Sequence, residues 1–442
     1  MFINRKDENE KLQEIYRSKK AELVLVYGRR RIGKSRLLIE SIKNKDAVYF
    51  LADASDNILD ILSQQIKDEF VKFSNWEDFF EFMLKSKHTV FIIDEFQYLY
   101  QVNKAWPTIL QRWWEKLKDT DKKIILCGSI ISTIDKIARG YGSALYGRKT
   151  YEMEIQPLSF QHAREFLKGY PVEEQIKAYS VLGGIPRYLE EIDLTKSVEE
   201  NINEKILEKI RFLYNEPVNL LFEEFRDPST YLAILSGISE GQTKFNEIAV
   251  YSHIGTNKLP KYLLVLERVG IIKKEVPVTE KKLKSKLTRY YLKDNFYRFW
   301  LRFVFKNKAQ IEQGLNKELG HAIKKELPSY MGNAFEEVCK ETLLLKLHGI
   351  TKLGRWWHKD TEIDIVAINE TNDTIYFAEC KWKDGVDAEQ ILAELREKAK
   401  QVSWRNNKRK EKFIIIGKSF AHKIHEQDVI LMGIDDIKNA AK

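Results

Sequence analysis

The sequence predicts an α/β protein: a parallel sheet with helices on both faces, a mostly helical stretch, a three-helix-and-hairpin module and a second α/β segment. Three observations predict it. Short apolar runs alternate with helical patterns from Leu23 to Ser129, the signature of β-α-β units. The first run stops at a glycine-rich loop. Two later β-rich runs carry an isolated acid, Asp364, and a Glu-x-Lys pair, Glu379 and Lys381.

In order, Leu23–Tyr27 reads as a buried strand ending at Gly28, and Leu37, Leu38 and Ile42 give the next helix. Val48–Leu51 is a second strand, 56–86 is helical, and Val90–Ile93 is a third strand ending in Asp94-Glu95. A helix over 104–118 and a strand at Ile124–Cys127, closed by Gly128-Ser129, complete the core. From about 157 the pattern is helical, through Gly183-Gly184-Ile185-Pro186 to about Glu224. Residues 229–293 give three short helices and two β-rich runs, Ile271–Pro277 and Leu287–Leu292, the outline of a winged helix-turn-helix. An aromatic linker helix follows (Phe296, Tyr297, Phe299, Trp300, Phe303, Phe305). The last segment reads helix, strands 361–368 and 374–380, helix 387–402 and strand 413–416.

At roughly 150 residues per domain, 442 residues predict about three domains. The expected boundaries are 1–155 for the sheet core, 156–225 for a helical lid, 226–310 for the winged helix and 311–442 for the last segment. No run of about 18 apolar residues exists, so no membrane span is expected. The charged N-terminus lacks a signal-peptide core. Cys127, Cys339 and Cys380 lie far apart, which fits a reducing cytoplasm and argues against a zinc module or disulfide framework. The eight histidines form no i, i+4 metal pair. The net charge is +9, and between Arg268 and Lys308 thirteen basic residues face three acidic ones. That block reads either as a polyanion-facing surface, with DNA as partner, or as a solvated lysine-rich face.

Gly28-Arg29-Arg30-Arg31-Ile32-Gly33-Lys34-Ser35 satisfies G-x-x-x-x-G-K-[ST] between a strand and a helix, and so predicts a P-loop. Its backbone N–H groups, with Arg36 following, form the expected cradle for ATP phosphates. Lys34 is expected to neutralise the β- and γ-phosphates and Ser35 to ligate Mg²⁺. Asp94 is expected to hold Mg²⁺ through water, and Glu95 to orient or deprotonate the attacking water. Ser129 reads equally as a γ-phosphate or water contact and as a helix N-cap. Arg148, in Tyr146-Gly147-Arg148, reads as an arginine finger or sensor, or as a surface arginine.

These residues resemble the archaeal-type ATPases within the STAND/AAA-like P-loop ATPases. The likeness extends over Phe2-Ile3-Asn4-Arg5, Asp94-Glu95 and Gly183-Gly184-Ile185-Pro186-Arg187-Tyr188-Leu189. It implies a P-loop ATPase fold and ATP binding, with Pro186 against the adenine. Relatives often carry two serines in a row where this chain has Gly128-Ser129-Ile130.

In the last segment, strand alternation puts Glu379 and Lys381 on one side, where with Asp364 they are expected to bind a divalent metal and polarise a water. Glu336, on the preceding helix, is a further candidate metal ligand. The pattern resembles the PD-(D/E)XK nuclease core, a restriction-endonuclease-like fold, with Ile363 in place of proline. It also resembles the DUF234-type domain often fused to these ATPases, including Gly354-Arg355-Trp356-Trp357 and Glu379-Cys380-Lys381-Trp382. Catalysis by this domain, and binding of DNA or a partner without cutting, both stay open. Gln390 and Lys400 are candidate phosphate contacts. Trp356, Trp357 and Trp382 read as packing residues. The oligomeric state is left open, with a homo-oligomer among the expected forms.

Overall fold

The computed structural model describes residues 3–66, 71–140, 142–282, 285–422 and 424–440; Phe2, Lys284 and part of the expected helix at 56–86 lie outside them. The chain divides into two compact units, Met1–Pro157 with Ile185–Arg187, and Leu158–Gly184 with Tyr188–Lys442.

The first unit is built on a five-stranded parallel sheet of order β2-β3-β4-β1-β5. Its strands are β1 (Glu22–Tyr27), β2 (Ala47–Leu51), β3 (Val90–Asp94), β4 (Lys123–Gly128) and β5 (Tyr151–Glu154). β1, β3 and β4 are buried along their whole length, as apolar runs covered on both faces must be. β5 was not expected: it is a polar edge strand with three of four residues exposed, so no apolar run announces it.

The helix Trp106–Leu117 buries Trp106, Leu110, Trp113, Trp114 and Leu117, one face at helical spacing, and Pro107 in its first turn needs no N–H partner. Phe80 of the helix Trp76–Lys85 stacks on Trp113. The single helical stretch expected over 56–86 is instead Ile58–Gln64 and Trp76–Lys85. The second begins at Asn75, whose side chain accepts from the Asp78 N–H at 2.9 Å, so a local cap starts a new helix.

In the second unit, helices predominate up to Glu224. Pro228–Ser239, Phe245–Ser252 and Leu259–Arg268 then precede an antiparallel hairpin of β6 (Ile272–Glu275) and β7 (Arg289–Leu292). His253 ends its helix in the left-handed region, φ 54°. The aromatic linker is core: Phe296, Tyr297, Phe299, Trp300 and Phe303 are all buried.

The C-terminal sheet has the order β12-β11-β10-β9-β8. It comprises β8 (Lys352–His358), β9 (Thr361–Asn369), β10 (Thr374–Lys381), β11 (Lys410–Gly417) and β12 (Val429–Met432). β8, β9 and β10 are antiparallel neighbours, whereas β10, β11 and β12 are parallel. The helix Ala388–Lys400 makes the crossover between β10 and β11 and buries Leu392 and Leu395 against Phe377 and Phe413. β8, unforeseen, is broken by an irregularity between Gly354 and Trp356, and its Trp356 and Trp357 are buried. Among the described residues no helix is long and apolar enough to cross a membrane.

Candidate functional site

The parallel sheet delivers the ends of β1, β3 and β4 to one edge, where an open α/β sheet binds ligands. Beyond β1 the chain turns at Gly28, where a Cβ would lie 2.4 Å from the Ile155 carbonyl oxygen, so only glycine fits. Gly33 caps the helix Lys34–Ser41 at φ 93°, a conformation natural to glycine, and faces open space. Arg31 is left-handed as well, φ 68°.

Lys34 is buried, and its Nζ donates to the carbonyls of Gly28 and Arg29, each at 2.9 Å. Burial pushes its pKa down, only partly offset by neighbours that include Glu95 and Asp94. Arg5 also braces the loop. Its Nη2 donates to the Ile32 carbonyl at 3.2 Å and to the Gln156 carbonyl at 2.8 Å.

Asp94 is fully buried; it accepts from the Tyr49 hydroxyl at 2.5 Å and from the Glu95 N–H at 2.9 Å. Ser35 also lies near the Tyr49 hydroxyl. Burial, then the charge of Asp94, pushes the Tyr49 phenol well up, so it stays a donor. Glu95 is left-handed at φ 55° and accepts from Ser129 Oγ at 2.6 Å and from the side chain of Gln97. Gly128 leaves no room for a Cβ, which would meet Gln97 Oε1 at 2.6 Å.

Several expected roles change. Ser129 is not a helix cap: the next helix starts at Ile131 with Ile130 as its uncapped N-cap residue, and the hydroxyl holds Glu95. Arg148 does not face the P-loop of its own chain. It precedes β5, whose Tyr151 pairs with Val24 early in β1, and its Nε lies 3.5 Å from Glu115. Thr150, two residues on from Arg148, donates its N–H to the Leu23 carbonyl at 2.9 Å, and Gly28 is five residues further, about 16 Å along a strand, out of an arginine's reach. Pro186 heads the short helix Pro186–Leu189, in the segment that clusters with the P-loop unit. Arg30 donates to the Tyr98 hydroxyl at 2.9 Å, and Arg36 is exposed.

Tyr49 and Gln97 are site residues that no sequence motif singles out, and Arg5 is one that the sequence does not place in the site. A signal exists for one of them: Gln97 is the first polar residue after the acid pair, with Phe96 between.

A second cluster lies in the C-terminal sheet. Asp364 accepts from the Cys380 N–H at 2.9 Å, and Lys381 Nζ lies 3.7 Å from Asp364 and 2.7 Å from Glu379. Lys398, on the helix Ala388–Lys400, grips the other oxygen of Glu379 at 2.7 Å. Burial, with the charges of Glu379 and Glu336, pushes the Asp364 carboxyl up to about 7. Burial also acts on Glu379, but Lys381 and Lys398 overcome it and hold that carboxyl below the usual range.

Glu336 is bound by the buried Arg355, whose Nε donates at 2.9 Å. Among the described residues no group of three His, Cys, Asp or Glu gathers as a metal cage; Glu336 and Glu379 both lie near enough to Asp364 to raise its carboxyl, and each is held by cations of its own. Gln390 and Lys400 are exposed and bond Glu394 and Glu397. Part of the basic block is consumed internally: Lys273 pairs with Glu337 at 2.7 Å, and Arg289 with Glu362 at 3.2 Å while lying over the Trp357 ring.

A family described as an ATPase domain predominantly from Archaea matches residues 2–192. DUF234, described as archaeal and bacterial proteins of unknown function, matches residues 300–401. An uncharacterized protein of Methanocaldococcus jannaschii is 36% identical over 450 residues, covering 99% of this chain and 100% of that one. An uncharacterized ATP-binding protein of the same organism is 47% identical over 45 residues, covering 10% of this chain and 76% of the other. The Walker-type ATPase of Pyrococcus abyssi shares the fold at 21% identity and a TM-score of 0.51, over 68% of this chain and 96% of its own. With its P-loop at the edge of a parallel sheet and its C-terminal sheet domain, the chain belongs to the archaeal-type ATPases that carry a DUF234 domain.

Proposed function

We propose that the protein is an Mg²⁺-dependent ATP hydrolase acting as a switch on its own C-terminal, DNA-binding domain. The observation that carries the reading is Glu95, held at the carboxyl edge of the sheet by Ser129 and Gln97 beside Lys34 and Asp94. The loop Gly28–Ser35 and Lys34 bind the phosphates, and Pro186 lies against the adenine. Glu95 takes a proton from a water as its oxygen bonds to the γ-phosphorus. The bond from the γ-phosphorus to the bridging oxygen breaks, leaving ADP and inorganic phosphate. Ser35 and Asp94, hard oxygen donors linked through the Tyr49 hydroxyl, fit Mg²⁺, which when bound supplies charge neutralisation. Glu95→Gln is expected to bind ATP and not turn it over. Full ATP affinity in Lys34→Ala would falsify the reading.

In this reading the segment 156–225 is a lid, 226–310 a winged helix-turn-helix and 311–442 a nuclease-like domain, in a cytoplasmic protein. The exposed lysines Lys274, Lys281, Lys282 and Lys286 support DNA binding.

A second reading, without cleavage, is favoured by one observation: two ammonium groups already neutralise Glu379, and Arg355 holds Glu336. These residues do not form a divalent-metal cage, and no cleavage step is derived from them. Incubating the protein with plasmid and linear DNA and Mn²⁺ separates the readings. Cutting that is lost in Asp364→Ala supports a nuclease, and intact DNA supports the switch without cleavage.

A further inference from the structure

In the second unit a cavity of about 280 Å³ opens between the hairpin, the end of the helix Pro228–Ser239, and the helices on either side of Met331. Four cations line it, Lys273, Arg298, Arg302 and Arg355, against one carboxylate, Glu337. Three of them have acidic partners in place: Lys273 with Glu337, Arg355 with Glu336, and Arg302 with Glu326. Arg298 differs. Its Nη2 donates to the Leu292 carbonyl at 2.7 Å, which fixes the guanidinium, while Nη1 is buried with no hydrogen-bond partner. A buried cationic donor without an acceptor is the kind of group a ligand satisfies.

The rest of the lining suits an oxyanion. Ser239, Thr243 and Ser329 bring hydroxyls. The Asn333 carbonyl oxygen accepts from Arg355 at 2.9 Å, which leaves its amide N–H groups to donate. Guanidinium forks, an ammonium and hydroxyls converging from several elements exceed what one planar carboxylate uses, and match the greater charge and three acceptor oxygens of a phosphate. The volume falls just below the range of about 300–1,000 Å³ usual for drug-sized ligands, so the occupant is small.

We propose that this cavity binds a small phosphate-bearing anion, an inorganic polyphosphate or a short phosphate ester, with Arg298 as its central contact. Arg355 then carries the ligand's charge towards Glu336, since one guanidinium lines the cavity and holds that carboxylate.

The test is calorimetric titration of the full chain with inorganic pyrophosphate, the P-loop first saturated with a non-hydrolysable ATP analogue. One saturable site per chain is expected, weakened at least about tenfold in Arg298→Met. Arg302→Ala, at an exposed residue whose ion pair with Glu326 lies at the surface, is expected to weaken it too, and decides the matter if Arg298→Met does not fold. Lys168→Ala, at an exposed residue outside the cavity, leaves it unchanged. The proposal is overturned by no saturation up to about 10 mM. Equal affinity in both arginine variants, or saturable binding of a single-stranded oligonucleotide with none of pyrophosphate, also overturns it.

Discussion

The Ser129 hydroxyl donates to the Glu95 carboxylate at 2.6 Å across the ends of two neighbouring parallel strands, β3 and β4. Glu95 sits in the left-handed region, uncommon for a residue with a Cβ, and Gln97 holds the same carboxylate oxygen. The carboxylate is therefore aimed by its neighbours and not by its own rotamer freedom.

Ser129→Ala is expected to lower ATP turnover about 10- to 100-fold, the loss of one hydrogen bond to a charged group worth about 1.5–3 kcal/mol. ATP affinity stays near wild type, because Ser129 bonds Glu95. Steady-state hydrolysis beside a fluorescent-nucleotide titration checks both halves, and a loss of affinity equal to the loss of turnover would place Ser129 on the nucleotide itself.

Arg5→Ala removes the clasp on the Ile32 and Gln156 carbonyls. The P-loop then orders only when ATP binds, so affinity falls several-fold while turnover at saturating ATP is retained. Nucleotide titration and saturating-substrate kinetics read the two separately.

Tyr49→Phe strips a buried carboxylate of its hydroxyl donor and is expected to cost about 1.5–3 kcal/mol of stability, read from urea unfolding. Asp94→Asn in the same background should recover part of it, because the charge that needs the hydroxyl is gone.

What the sequence showed and hid follows from physics at each position. β1, β3 and β4 were legible because strands covered on both faces are continuous apolar runs. β5 was hidden because an edge strand needs no apolar face. Lys34 was legible from the G-x-x-x-x-G-K-[ST] motif between a strand and a helix, and Asp94 and Glu95 from the apolar run they end. Tyr49 was not, since one tyrosine in a strand is ordinary and only the fold carries its hydroxyl to Asp94. The same holds for Lys398, one lysine in a basic helix until the crossover sets it on Glu379, and for Arg355, whose burial against Glu336 no local pattern encodes.

Asp364 gives a pH dependence with a definite sign. Its carboxyl, about 7 in the folded protein, lies above the ordinary value of about 3.9 in an unfolded chain. Between those values the folded state holds a proton that the unfolded state releases, so this stabilisation is fully present below the window and lost as pH rises through it. Asp364→Asn is therefore expected to gain thermal stability over wild type as pH is raised from about 5 to about 8. A difference that stays flat across that range would contradict the assignment.

The basic block separates into two kinds of residue with different consequences. Arg289 pairs with Glu362 and lies over Trp357, so Arg289→Ala is expected to lower thermal stability and leave DNA affinity nearly unchanged. Lys281, Lys282 and Lys286 are exposed. If they meet phosphates, replacing all three by alanine removes up to three counterion-releasing contacts. The slope of log affinity against log salt on duplex DNA then becomes shallower by up to about 2.7, with no loss of thermal stability. Fluorescence anisotropy across a salt series reads that slope directly. A slope unchanged in the triple variant would mean that the hairpin serves the C-terminal sheet alone, and that any DNA contact lies elsewhere.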